Sequence, residues 1–404
     1  MTGLTPIRKY QFYSASARFF AATLDSIGYP IFNFFRLFKK TSLKNDIKNK
    51  NLKKILVIRL DDIGDVLLAT PFIRELKNNF PSAKIDMLVK NSTKEVLASN
   101  SRINKVYFYH PLWMRTNSPE GILDTIKVIK NLRKADYDAI FELRGNPFNI
   151  ILASLLKSRY KIGYANQGFG FLLTNPIITK EKEKEKHEIE KNLDILRALN
   201  LSVKSKNPEI FISKEEKIFA NDFFKKHKDK NQIAVAIHAG TPWHPKRWPK
   251  ERFAEVADFL IKKHNAKVIL LGNKDEIALN NEITNLQAEQ NKRNIVNLAG
   301  KTSLKEAASI ISKCSLFIGN DSGLMQIASA SNIPLIALLW GTGQKSFAPT
   351  GKNSIVLYKK AECSFSGVQK MGELCSCNSS PCKALLKITA DNAIKASEKI
   401  IKGL

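Results

Sequence analysis

No run in this chain reaches the roughly 18–20 consecutive apolar residues that cross a bilayer, so a membrane-spanning helix is not expected. The first twenty residues, MTGLTPIRKYQFYSASARFF, have no uninterrupted apolar core and no small-residue cleavage site. A secretory signal is therefore not expected, and a cytoplasmic protein is. Cysteine is scarce, with five in the chain, and four of those fall together at positions 363, 375, 377 and 382. That grouping argues against a dispersed disulfide framework. Acid is in short supply: 37 Asp and Glu stand against 65 Lys and Arg, a formal charge of +28. The excess reflects either a compositional habit of the source genome or attraction to anionic partners. No G-x-x-x-x-G-K-[ST] occurs, so a P-loop is not indicated, and no G-x-G-x-x-G follows the first strand, which argues against a dinucleotide-linked oxidoreductase. HEIEKN at 187–192 lacks a second histidine four residues after His187, which removes the zinc-helix reading. No helix-turn-helix, zinc-finger or aromatic RNA motif is present, so nucleic acid is not an expected partner.

What is present organises into three parts. Residues 1–52 interleave aromatics (Phe12, Tyr13, Phe19, Phe20, Phe32, Phe34, Phe35, Phe38) with Arg8, Lys9, Arg18, Arg36, Lys39 and Lys40. Such an arm suits an interfacial membrane helix, or a helix packed on the body of the protein. From residue 53 a strand–helix rhythm begins: KKILVIRL, AKIDMLVK, INKVYFYH and YDAIFEL are strand patterns with helical spacing between them. The rhythm restarts in QIAVAIHAG, AKVILLG, IVNLAG, CSLFIGN and IPLIALLWG. Two doubly wound α/β domains follow, over 53–200 and 201–404, facing each other across a cleft. Ligands in such sheets bind at the carboxyl ends of the strands.

Four stretches can carry chemistry. In RLDDIGDVLLATP, residues 59–71, three carboxylates crowd a strand's C-terminal edge. Asp61 and Asp62 read as helix caps. Asp65 lies past Gly64 in the first helical turn and reads as a general base. In HAGTPWHPKRWP, residues 238–249, Lys246 and Arg247 open a helix and suit a phosphate. In GNDSGLMQIASA, residues 319–330, the turn amides at Ser322 and Gly323 favour an anion and Asp321 can accept hydrogen bonds from sugar hydroxyls, or Asp321 or Ser322 simply caps the helix. Cys363, Cys375, Cys377 and Cys382 read as a tetrahedral metal site, as free thiols or as disulfides formed on oxidation. Cys314, at the start of a buried strand, reads as core.

Taken in order, ILVIRLDDIGDVLLATPFIRELKNNFPSAKIDMLV, HEIEKNLDILRALNL, IHAGTPWHPKRWPKERFAEVA, LLGNKDE, NLAGKTSLKEAASIISKCSLFIGNDSGLMQIASA and PLIALLWGT resemble glycosyltransferase family 9, which contains the lipopolysaccharide core heptosyltransferases. The resemblance covers roughly residues 53–400. It implies a GT-B fold of two Rossmann-like domains, the first for the acceptor and the second for a nucleotide-sugar donor such as ADP-heptose. It implies inverting, metal-independent transfer to a lipopolysaccharide core acceptor at the inner face of the inner membrane, with a protein acceptor or another donor as the alternative. The family's general base falls on Asp65. Its phosphate-binding lysine falls on Lys246, and its D-[ST]-G turn on Asp321, Ser322 and Gly323. Its nucleoside-holding acid falls on Asp275 or Glu276. Many members carry histidine where this chain has Gln326, so that position is either structural or part of a different donor contact. The cysteine spacing is similar to an iron-binding finger in relatives that modify proteins, which implies a structural iron or zinc rather than a catalytic cofactor.

Overall fold

The computed structural model describes residues 15–37, 43–49, 51–110, 119–178, 186–340, 343–351, 353–361 and 381–403. The chain divides into two compact units, with the change at Lys206 and Asn207.

The first unit is built on one parallel sheet of β1 (Lys54–Arg59), β2 (Lys84–Val89), β3 (Lys105–Phe108), β4 (Tyr137–Glu142), β5 (Ser158–Tyr164) and β6 (Asn175–Ile177). Its order is β3-β2-β1-β4-β5-β6. The central strands are runs of Ile, Leu, Val and Phe buried on both faces, which is what a sheet covered by helices on each side requires. Residues 202–205 belong to this unit through side-chain bonds: Asn79 Nδ2 donates to Ser202 O at 2.8 Å, and Glu75 accepts from Lys204 N at 3.0 Å.

The second unit repeats the plan with β7 (Ile233–His238), β8 (Ala266–Leu270), β9 (Ile295–Asn297), β10 (Leu316–Asn320), β11 (Leu335–Leu338) and β12 (Ser354–Leu357). Its order, β12-β11-β10-β7-β8-β9, is the same topology run from the other edge. All strand pairs are parallel. Each sheet therefore reverses its strand order once, between β1 and β4 and between β7 and β10. Those reversals create the crevices where α/β sheets bind ligands. The core of the second unit runs from Val235 and Phe253 to Leu385 and Ala393, and both Cys314 and Cys382 are buried free thiols.

The N-terminal helix Ala15–Leu37 packs one face onto the first unit. Asp25 Oδ1 accepts from Phe169 N at 2.8 Å. Gly28 lies so close to Phe171 that a Cβ there would sit 2.7 Å from the ring. The opposite face leaves Phe19, Phe20, Ile27 and Ile31 exposed. Among the described residues no helix is long and apolar enough to cross a membrane.

Candidate active site

At the first reversal, β1 delivers Arg59, whose side chain is wholly buried. Burial works against its charge, but Asp61, Asp65 and Glu188 overcome this and hold the guanidinium firmly protonated. Its Nη2 reaches Asp65 Oδ1 at 3.0 Å and Glu188 Oε2 at 3.3 Å. Its Nη1 donates to Asn192 Oδ1 at 3.2 Å, and its Nε lies at ion-pair distance, 3.0 Å, from Asp61. Arg144, from the loop after β4, adds a second guanidinium 3.8 Å from Asp61, 4.0 Å from Asp65 and 3.6 Å from Glu188. Lys191 bonds the other oxygen of Glu188 at 2.7 Å. Asp61, Asp65 and Glu188 thus face Arg59, Arg144 and Lys191, so the cluster is balanced in charge although it is buried.

The balance is uneven residue by residue. Burial alone would raise Glu188, but Arg59, Arg144 and Lys191 outweigh it and hold the carboxyl at about 2. Asp65 moves the other way. Burial pushes its carboxyl above the ordinary value, Arg59 and Arg144 oppose the rise, and Asp61 and Glu188 add to it. One oxygen of Asp65 is anchored by Arg59, while Oδ2 accepts no hydrogen bond from a described residue. Its side chain keeps 19% of its surface open. A fixed, partly exposed carboxylate with a raised pKa is what a general base requires.

Local structure explains why Asp65 holds this place. The helix Ile63–Leu67 is a single short turn that puts Asp65 in its first turn, and a second helix, Thr70–Asn79, follows with Pro71 in its first turn. The apolar stripe from Gly64 to Phe80 predicts one helix, and the structure breaks it at Leu68–Ala69. The capping reading of Asp61 and Asp62 is corrected. Asp62 occupies the cap position with extended backbone but makes no cap bond; its carboxylate pairs with Lys90 at 2.8 Å. Asp61 faces the two arginines instead. Arg144 is aimed by Glu142, which accepts from the backbone of Arg144 at 3.1 Å and of Gly145 at 2.5 Å. Gly145 has φ +70°, and a Cβ there would meet Tyr164 at 2.8 Å, so the turn needs glycine.

At the second reversal, β7 ends at His238 and β10 at Asn320. His238 Nδ1 bonds Ser322 Oγ at 2.9 Å, and its Nε2 lies 3.3 Å from Glu276 Oε2. Ser322 Oγ also accepts from Met325 N, so the hydroxyl caps the Gly323–Ala330 helix. The amides of Gly323 and Leu324 open that helix with no intrahelical acceptor. Lys246 Nζ donates to Asp321 Oδ2 at 2.9 Å and lies 5.4 Å from the centre of the Trp340 ring. Asp321 therefore pairs with the lysine rather than capping the helix. Asn320 Oδ1 takes Trp248 N and its Nδ2 donates to Ala239 O, tying the Lys246 loop to the turn.

The two candidate acids after β8 sit differently. Asp275 is exposed, whereas Glu276 is buried against His238 and accepts from Asn273 N at 2.8 Å. Gly240 and Gly272 make its space, because a Cβ on either would fall within 2.7 Å of the carboxylate. Burial would raise Glu276, but His238 and the Asn273 amide hold it below the ordinary value. Gln326 is buried one turn into the helix, and its Nε2 donates to Phe347 O at 2.7 Å. Its Oε1 is buried with no hydrogen-bond partner among the described residues.

The cysteine grouping falls mostly outside the described residues, which exclude Cys363, Cys375 and Cys377. Cys382 is buried in the second core, with its amide bonded to Pro245 O at 3.0 Å. Among the described residues no three metal-ligating side chains converge. Sequence reasoning passed over Arg59, Arg144, Glu188, Asn192 and His238. A signal existed for the first: an arginine closing an otherwise apolar buried strand demands internal counter-charges.

Two Rossmann-like units in one chain, each with polar groups gathered at its strand-order reversal, are the plan of the GT-B fold. The chain belongs to glycosyltransferase family 9 (heptosyltransferase), whose description matches residues 125–374. It is 30% identical over 356 residues to lipopolysaccharide heptosyltransferase 3 of Escherichia coli (strain K12), covering 84% of this chain and 95% of that protein. Its fold is similar to that of the E. coli ADP-heptose lps heptosyltransferase II, with a TM-score of 0.70, 21% identity, and coverage of 87% of this chain and 99% of that one. It is also similar to the glycosyl transferase family 9 protein from Veillonella parvula DSM 2008, with a TM-score of 0.72, 24% identity, and coverage of 87% and 98%.

Proposed function

We propose that this glycosyltransferase moves a heptosyl group from ADP-heptose to a hydroxyl of a lipopolysaccharide core acceptor. The acceptor hydroxyl attacks the anomeric carbon from the side opposite the diphosphate, so configuration inverts. The new C–O bond forms as the bond to the diphosphate breaks, and Asp65 takes the hydroxyl proton. Lys246 and the amides at Ser322 and Gly323 stabilise the charge that develops on the leaving diphosphate. Lys246 pairs with Asp321, and the diphosphate is proposed to compete with that carboxylate for the lysine. Asp321 is then released to accept a hydrogen bond from a sugar hydroxyl. Glu276, a better-placed neighbour of the turn than Asp275, is proposed to hold the nucleoside. Gln326 is proposed to serve the donor side by bracing the Phe347 segment.

The observation that carries this reading is the anchored Asp65 carboxylate, with one oxygen on Arg59 and the other accepting no hydrogen bond from a described residue. Asp65→Asn keeps the shape and removes the base. Turnover of ADP-heptose with a core acceptor should fall by roughly 10²- to 10⁴-fold. Calorimetric affinity for ADP should stay unchanged. Near-normal turnover in this variant would remove Asp65 from the mechanism.

We also propose that the enzyme works at the inner face of the inner membrane, with the exposed Phe19, Phe20, Ile27 and Ile31 face of the N-terminal helix at the lipid surface. The cysteines are proposed as a structural iron or zinc site, to which Cys382 brings a free buried thiol. Elemental analysis of anaerobically purified protein decides that point: absence of both metals rejects it.

A further inference from the structure

The helix Pro119–Ala135 joins β3 to β4 in the first unit. One face is core: Leu132 is fully buried, Val128, Ile129 and Ala135 pack with it, and Thr125 bonds the hydroxyl of Tyr109 at 3.0 Å. The other face is a solvent stripe at helical spacing. Its leading part is aliphatic, with Ile122 52%, Leu123 67% and Ile126 44% exposed. Its trailing part is cationic, with Lys127, Lys130, Arg133 and Lys134 all exposed. From Ile122 to Ala135 the only acid is Asp124. Because the helix leaves the C-terminal end of β3, the aliphatic part stands at the sheet edge that carries Asp65.

We infer that this stripe is a second lipid contact, which inserts Ile122, Leu123 and Ile126 among acyl chains and sets Lys127, Lys130 and Lys134 against anionic headgroups. Three exposed aliphatic side chains cost free energy in water and gain it in a bilayer. Lysines one to three turns further along the same face match a negative headgroup layer, and between Ile122 and Ala135 only Asp124 opposes it. Nucleic acid is a poorer fit, since aliphatic chains give bases nothing to stack on. The inference rests on the acceptor being a membrane-held glycolipid, because the stripe would bring the Asp65 edge to that acceptor.

The test uses the full chain and vesicles that contain no acceptor, so it does not depend on catalysis. Sedimentation is measured with vesicles of phosphatidylethanolamine and phosphatidylglycerol, and with phosphatidylcholine alone. The variant Ile122→Ser/Leu123→Ser/Ile126→Ser should lose roughly tenfold in partition onto the anionic vesicles. Contacts made together multiply, so this loss appears whether or not the N-terminal helix also binds. Lys127→Glu/Lys130→Glu/Lys134→Glu should lose at least as much, and wild type should prefer the anionic vesicles. Melting temperature and turnover of a deacylated, water-soluble acceptor should match wild type in both variants. Unchanged partition in the serine variant overturns the inference, as does equal binding of wild type to both vesicle types. A serine variant that changes only the oligomeric state in light scattering overturns it in favour of self-association. Lysine-dependent binding of single-stranded DNA, with vesicle partition untouched, overturns it in favour of nucleic acid. Failure of the glycosyl-transfer reading would appear instead in the Asp65→Asn kinetics, which these measurements leave aside.

Discussion

Burial raises the Asp65 carboxyl first, neighbours of both signs then adjust it, and the two kinds of neighbour are separable by mutation. Glu188 is a like charge that raises Asp65, and Arg144 is an opposite charge that lowers it. Glu188→Gln should therefore move the acidic limb of the kcat/KM profile to lower pH, and Arg144→Gln should move it to higher pH. Both variants should also slow turnover, by about 10- to 100-fold, because Arg59 or the base it holds loses its alignment. A merely structural role for Glu188 would lower the melting temperature and leave the pH profile in place. Arg59 is a poor choice for this experiment. Its removal would strand three buried carboxylates, at a cost on the order of 3–5 kcal/mol of stability.

The element that most separates sequence from structure is the Gly323–Ala330 helix. Its role as a capped helix at an anion-favouring turn is local, since Ser322 caps within three residues, and so it is legible in GNDSGLM. The strands are legible for the same kind of reason: β-branched runs such as KILVIR and IAVAIH are buried on both faces wherever a doubly wound sheet places them. The partners of polar side chains are not local. Arg59 bonds Asn192 from 133 residues away, and His238 bonds Ser322 from 84. No pattern within either segment encodes those distances. Asp62 misled for the converse reason: the cap position was local and right, but a lysine from the neighbouring strand's end took the carboxylate. Gln326 belongs with the non-local group, bonding a carbonyl 21 residues ahead. Gln326→Ala should cost about 1–3 kcal/mol of unfolding free energy, because the buried Gln326 side chain is lost and the half-buried Phe347 O loses its donor. The ratio of kcat/KM between ADP-heptose and an ADP-hexose should stay as in wild type. A changed ratio at unchanged stability would make Gln326 a direct sugar contact.

At the scale of the whole molecule the formal charge of +28 has two explanations with different kinetics. If the lysines are compositional, each is screened where it stands, and the donor meets only the local field of Lys246. If the charge acts collectively, it draws an anionic donor from beyond contact distance. Ionic strength separates the cases, since the screening length falls from roughly 30 Å at 0.01 M to roughly 8 Å at 0.15 M. Collective attraction acts before contact. The association rate constant for ADP-heptose should then fall by roughly tenfold across that range, while the dissociation rate constant changes little. Stopped-flow fluorescence can follow both, because Trp243 and Trp340 flank Lys246 with ring centres 4.5 Å apart. Lys246→Met should raise the dissociation rate and keep the salt slope of association, because one charge in a large excess contributes little to the distant field. An association rate that ignores salt would assign the lysine excess to composition, and leave the electrostatic grip on the donor to local groups such as Lys246 and the turn amides.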